Sequence, residues 1–295
     1  MAVADRVLGR APDAGTLYRR AASGVLLSPI TGRFKRGGEP ALPADRLVLE
    51  DVAIDRSHLA AYDHVCGFLL RDALPATYLH NLTFPLAMDL MTGPDFPFPV
   101  VGMVHVANRI EQRRPVLAGE TPTLRVWAEG LRPHRAGTQL DLVGEAVIGG
   151  DVVWRDVSTY LKRGGDSSRT PRRSPGRGRP PAPRPEAVWT LPGDLGRQFA
   201  SVSGDRNPIH LSPWTAKAFG FPAAIAHGMW LKARCLAALE TELPEAFTVE
   251  VAFQQPVVLP AKVGFAAAHV DGRRTFTLHD VRRGTPHLRG SITPG

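Results

Sequence analysis

Cysteine is nearly missing from this chain of 295 residues: there are two, Cys66 and Cys235, far apart and in no CxxC pair. That argues against a disulfide framework and against a thiolate metal site. Long apolar runs are missing as well. No segment reaches the roughly 20 residues that a membrane-spanning helix needs, and the N-terminus lacks the apolar stretch of a signal peptide. A cytoplasmic enzyme is the resulting expectation. Excess charge of one sign is confined to one place. The chain carries +8 overall, but residues 162–187 hold eight Lys/Arg against Asp166 and Glu186, which leaves about +2 for everything else. No broad basic face remains of the kind that nucleic-acid binders show.

What is present falls into two parts. Residues 163–187 are rich in Pro, Gly, Ser and Arg and have no hydrophobic period. Such a stretch buries too little apolar surface to offset the entropy of ordering, so it reads as a flexible linker, with a phosphate- or RNA-binding arm as the alternative. On either side the text is similar. Leu74 to Met91 is apolar almost all round, as a buried helix should be, and Phe221 to Glu240 has the same character. Pro75 matches Pro222 and His80 matches His227, both 147 residues apart. After each helix come segments of period-two alternation, Val101 to Ile110, Thr123 to Leu131, Gln139 to Ile148 and Val152 to Leu161 in the first part, and Thr248 to Gln254, Lys262 to Val270, Thr275 to Asp280 and His287 to Ile292 in the second. A long helix followed by an antiparallel meander, twice over, predicts an α+β fold made by internal duplication.

The chemistry-bearing text is Phe199 to His210, FASVSGDRNPIH, in which Asp205, Asn207 and His210 lie within six residues. Gly204 frees the backbone and Pro208 stops a helix from running through Asn207. Such a loop can aim a carboxylate and an imidazole at one point, although the same letters also make a good turn. Seventeen residues on, Ala226-His227-Gly228-Met229 opens the second apolar helix. The first backbone N–H groups of a helix have no partner inside it and sit at the positive end of its dipole, an arrangement suited to a thioester oxygen.

Ser203-Gly204-Asp205-x-Asn207-Pro208-Ile209-His210 followed by Ile225-Ala226-His227-Gly228-Met229 resembles the signature of the MaoC-like dehydratases and R-specific enoyl-CoA hydratases. The first part, with Leu74-Pro75-Ala76-Thr77-Tyr78 and Phe96-Pro97-Phe98-Pro99, looks like the amino-terminal hotdog of two-domain members. The resemblance leaves out the linker and roughly the first forty residues. It implies a double hotdog, two antiparallel sheets each wrapped around a long central helix, with a non-catalytic unit over residues 1–162, the linker over 163–187 and a catalytic unit over 188–295. It implies reversible hydration of trans-2-enoyl thioesters, or dehydration of (3R)-hydroxyacyl thioesters, of CoA or acyl carrier protein in fatty acid metabolism. Asp205 and His210 would form the catalytic dyad, and the Gly228 N–H would bind the thioester oxygen. No metal and no organic cofactor is required. The expected partners are the acyl-CoA or acyl carrier protein substrate and a second copy in a homodimer. A hotdog thioesterase and a non-catalytic acyl-thioester-binding subunit are the alternatives.

Asn207 either bonds the loop backbone or orients His210. His227 reads as a structural histidine at the start of the helix rather than a second acid, and His80 as structural. Single-domain hydratases of this type often carry a serine about nine residues beyond the helix histidine, where this chain has Leu236. The first part offers an internal control: Val65-Cys66-Gly67-Phe68 stands where the second has Val202-Ser203-Gly204-Asp205, so a phenylalanine replaces the carboxylate.

Overall fold

A computed structural model describes residues 4–13, 15–21, 40–164 and 182–295. Most of the linker expectation, residues 165–181, lies outside the described residues. The edges of that expectation are regular structure: Arg163 ends one strand and Ala187 begins another.

Alternating segments become strands wherever the sequence shows period two. In chain order they are β1 (Ala4–Leu8), β2 (Asp45–Leu49), β3 (Met103–Gln112), β4 (Thr123–His134), β5 (Gly137–Ile148), β6 (Asp151–Arg163), β7 (Ala187–Leu191), β8 (Phe247–Phe253), β9 (Ala261–Val270), β10 (Arg273–Asp280) and β11 (Pro286–Pro294). Helices are α1 (Arg56–Cys66), α2 (Tyr78–Thr92), α3 (Leu195–Ser203), the short α4 (Pro208–Leu211) and α5 (Pro213–Ala218), and α6 (Gly228–Ala238).

The expected two sheets are one. Among the described residues all eleven strands form a single sheet in the order β1-β2-β4-β5-β6-β3-β8-β11-β10-β9-β7. The two parts meet where β3 pairs antiparallel with β8, from Ala107 opposite Ala252 to Gln112 opposite Phe247. The physical reason is edge chemistry. Each part alone would leave a strand with unmet backbone groups, and mutual pairing satisfies both at once.

Outward from the β3–β8 seam the order mirrors itself: β3-β6-β5-β4-β2 on one side, β8-β11-β10-β9-β7 on the other. From β2 onward the first part runs strand, helix, helix, then four strands, and from β7 onward the second does the same with the small helices α4 and α5 inserted; β1 lies beyond β2 at the edge of the sheet and has no counterpart among the described residues of the second. Local details repeat too. Gly67 and Gly204 both end their helices in the left-handed region, at φ 82° and 73°. The Leu74 N–H bonds to the Val116 carbonyl as the Ala226 N–H does to Val257. The histidine alignment does not hold, however. The residue capping α2 is Thr77, whereas the residue capping α6 is His227, so His80 sits one turn inside its helix.

The core runs through both parts. It includes Tyr62, Tyr78, Leu79, Leu86 and Trp154 in the first and Phe199, Leu236, Val249 and Phe276 in the second. Leu236 is buried in that core. Yet α2 is less apolar inside than its sequence implies. His80 Nδ1 lies 2.9 Å from Asp156 Oδ2, Asn108 donates to Asp156 and to Ser158, and Lys232 of α6 reaches across the seam to Asn108. Removing one member of such a buried charged network typically costs about 3–5 kcal/mol.

Candidate active site

The site is assembled by α3, the loop after it, α4 and the start of α6. Helix α3 has its apolar face inward through Leu195, Phe199 and Val202. It lies against α4 backbone to backbone: a methyl group on Gly196 would come within 1.9 Å of the His210 carbonyl oxygen, so only glycine allows this approach. Asn207 then caps α4, its side-chain oxygen accepting from the Ile209 N–H at 3.4 Å, with Pro208 in the first turn. Of the two sequence-level options for Asn207, the structure shows the backbone contact.

His210 is buried, and its Nδ1 lies 2.7 Å from the Ile225 carbonyl oxygen. A carbonyl only accepts, so Nδ1 carries the proton and the neutral ring keeps its lone pair on Nε2. Burial pushes the His210 pKa below the usual histidine value, more than Asp205 pulls it up. At neutral pH the ring is therefore uncharged. Asp205 is partly buried, and its Oδ1 accepts from the Asn207 N–H at 3.0 Å. Burial works to raise this carboxyl, but His227, His210, the Asn207 N–H and the Tyr18 hydroxyl together hold it below the usual value.

His227 joins them. Its ring stacks on that of His210 with centroids 3.7 Å apart, and its Nε2 donates to the Asp205 carbonyl at 3.0 Å. It therefore fixes the backbone of the loop that carries the carboxylate. Burial, then His210, pushes its pKa down to about 3. His80, by contrast, stands apart, held by Asp156.

His227 also caps α6 without a side-chain bond to the first turn. The intrahelical ladder begins with the Leu231 N–H on the His227 carbonyl, so the N–H groups of Gly228, Met229 and Trp230 precede it. Phe253 forms the wall beside them; a methyl on Gly228 would meet its ring at 3.0 Å. Phe253 in turn packs on His105 at 5.0 Å, which stacks on Tyr160 at 4.7 Å.

One ligand atom from each of Asp205, His210 and His227 can be chosen so that all lie within 4.8 Å of one another, the residue types of a catalytic metal centre. The hydrogen bonding fits that use poorly. Two of the ring nitrogens are already committed, His210 Nδ1 to the Ile225 carbonyl and His227 Nε2 to the Asp205 carbonyl.

Sequence reasoning missed Tyr18, which touches Asp205, and the buried Asn108–Asp156–Lys232 network. A signal for the latter was available. In the alternating run of β6, Trp154, Asp156 and Ser158 share the inward face, and polar letters at inward positions of a strand need partners.

Comparisons with known proteins place the chain. Residues 176–290 match the family described as MaoC like domain. The chain is 40% identical over 273 residues to 3-hydroxyacyl-thioester dehydratase X of Mycobacterium tuberculosis, a match covering 92% of this chain and 95% of that protein. The crystal structure of HtdX from M. tuberculosis superposes with a TM-score of 0.75 at 39% identity, covering 85% of this chain and all of that one. A MaoC-like dehydratase from Phytophthora capsici, at 19% identity and a TM-score of 0.68, shares the fold over 85% of this chain and 95% of its own. The chain belongs to the MaoC-like dehydratase family.

Proposed function

We propose that this protein is a hydro-lyase that dehydrates (3R)-hydroxyacyl thioesters, and hydrates trans-2-enoyl thioesters in reverse, with Asp205 and His210 as its catalytic dyad. The observation that carries this reading is the pairing of a neutral His210, its Nε2 lone pair free of the Ile225 contact, with an Asp205 carboxylate held ionised beside it. The substrate is the thioester of CoA or of acyl carrier protein. The mirrored strand order supports the finer architectural reading, two hotdog units of which only the second carries the dyad, since Phe68 occupies the place of Asp205 in the first.

In the dehydration direction His210 Nε2 removes the α-proton, and the electron pair moves toward the thioester oxygen, where the Gly228 N–H at the start of α6 stabilises the enolate charge. The β-carbon–oxygen bond then breaks, and the imidazolium returns its proton to the departing hydroxyl, which leaves as water. Asp205 stabilises the imidazolium and holds the hydroxyl or water through its carboxylate. No metal or organic cofactor takes part in these steps. A thioesterase would instead send water to the thioester carbonyl; that a relative 40% identical over 92% of this chain is named a dehydratase favours the first reading.

The test is loss of enoyl-thioester absorbance with enoyl-CoAs of graded length. Asp205→Asn and His210→Ala are each expected to lower turnover by about 10² to 10⁴-fold while melting cooperatively. The double variant should fall little further, because the two groups act on one water. Chelator-treated enzyme should keep its rate. Near-normal turnover by either single variant would overturn the assignment.

A further inference from the structure

The carboxylate of Asp205 has a partner that comes from far outside the residues matching the family, which begin at 176. Residues 15–21 form a short helical segment whose Leu17 is buried in the core. Arg20 pairs with Asp89 near the end of α2 at 2.8 Å, and Arg6 with the same carboxylate at 3.0 Å. The segment is thereby anchored to the first part while Tyr18 reaches the second. The Tyr18 hydroxyl lies 3.2 Å from Asp205 Oδ1 and 3.3 Å from the Gly204 carbonyl oxygen, and accepts from the Arg206 N–H at 2.5 Å.

A phenol has one proton to give. With Arg206 donating to its lone pair, that proton has two acceptors in reach, and an ionised carboxylate is the stronger of them. The Asn207 N–H also ends on Oδ1. Both donors thus hold the same oxygen, whereas Oδ2 faces His227 Nε2 at 3.8 Å, beyond hydrogen-bond range. We propose that Tyr18 is a positioning residue for the dehydration: its hydroxyl pins Oδ1 and presents Oδ2 to the water. This rests on the reading of Asp205 as one half of the dyad. Burial and the nearby Asp205 raise the Tyr18 pKa, so the phenol stays protonated across the working range. The other titratable groups facing Asp205 are His210, His227 and, from β6, Tyr160.

The test compares wild type, Tyr18→Phe and Asp205→Asn in two measurements. One is kcat and KM with trans-2-enoyl-CoA. The other is an infrared titration of the Asp205 carboxylate, identified as the band that Asp205→Asn removes. Loss of one donor to a charged acceptor predicts a kcat about tenfold lower, with KM and melting temperature little changed. The Asp205 pKa should move up in Tyr18→Phe, because a group stabilising its ionised form is gone. Wild-type kcat in Tyr18→Phe would overturn the inference, and so would a lowered kcat with an unmoved carboxylate titration. Activity surviving in Asp205→Asn is a different failure, of the dyad itself.

Discussion

At the scale of single residues, the site is a set of groups held in the uncharged or charged form that suits them. His227 and His105 are both pushed down to about 3, chiefly by burial. The unfolded chain has them near 6.5. As pH falls below that value, the unfolded state binds protons that the folded state refuses, so their contribution is complete above pH 6.5 and is lost progressively toward pH 3. Each such group costs about 1.4 kcal/mol per pH unit in this window. Asp63 acts in the opposite direction, because burial raises its carboxyl to about 7 and its contribution is lost as pH rises. The informative quantity is therefore a difference between variants. Urea unfolding at stepped pH should show stability falling less steeply with acid in His227→Gln than in wild type, by about one proton's slope between pH 6 and 4; equal slopes would mean that His227 titrates normally in the fold. The proposed dyad lies in text that can be read locally, since Gly-Asp-x-Asn-Pro-x-His and Ala-His-Gly are local strings. Tyr18 does not. A single tyrosine 187 residues before its partner leaves no periodic or compositional trace, and only the folded chain brings the two together.

At the scale of elements, period-two alternation located eight strands, β3 to β6 and β8 to β11. It missed β1, β2 and β7, which are five residues long and too brief to establish a period. The helix α1, with its Asp55 cap and Gly67 stop, carries signals that the sequence reading left unused. Helix α2 was read correctly as buried and incorrectly as matching α6 through its histidine. Its leucines bear on substrate length. Leu79 and Leu86 are both in the core, the latter with no exposed surface. Leu86→Trp should therefore overpack the interior, lowering stability by about 1–3 kcal/mol. Turnover should drop alike for short and long enoyl thioesters. A selective loss on long chains with an unchanged melting temperature would instead place the acyl tail against α2.

At the scale of the whole molecule, the similarity of the two parts is visible in the sequence, but the single sheet they form is not. Two similar units predict two sheets; that their edges join depends on pairing between strands far apart in sequence, as Ile110 and Val249, 139 residues apart, show, and nothing local encodes that. The basic run falls chiefly on residues outside the described set, and the proposed dyad lies after it. Exchanging Arg169 to Pro183 for a neutral flexible segment of equal length should leave kcat unchanged, and steady-state kinetics on acyl-CoA would reveal any phosphate contact as a raised KM. The β3–β8 seam carries a further implication. Because the backbone ladder, and not the connecting peptide, joins the units, a chain interrupted between Gly164 and Ala182 is a natural split protein. Each fragment on its own would bare a strand edge and tend to stick to others of its kind. Expressed together, the two should zip along Ala107–Gln112 and Phe247–Ala252 into one soluble particle that elutes as the intact enzyme does.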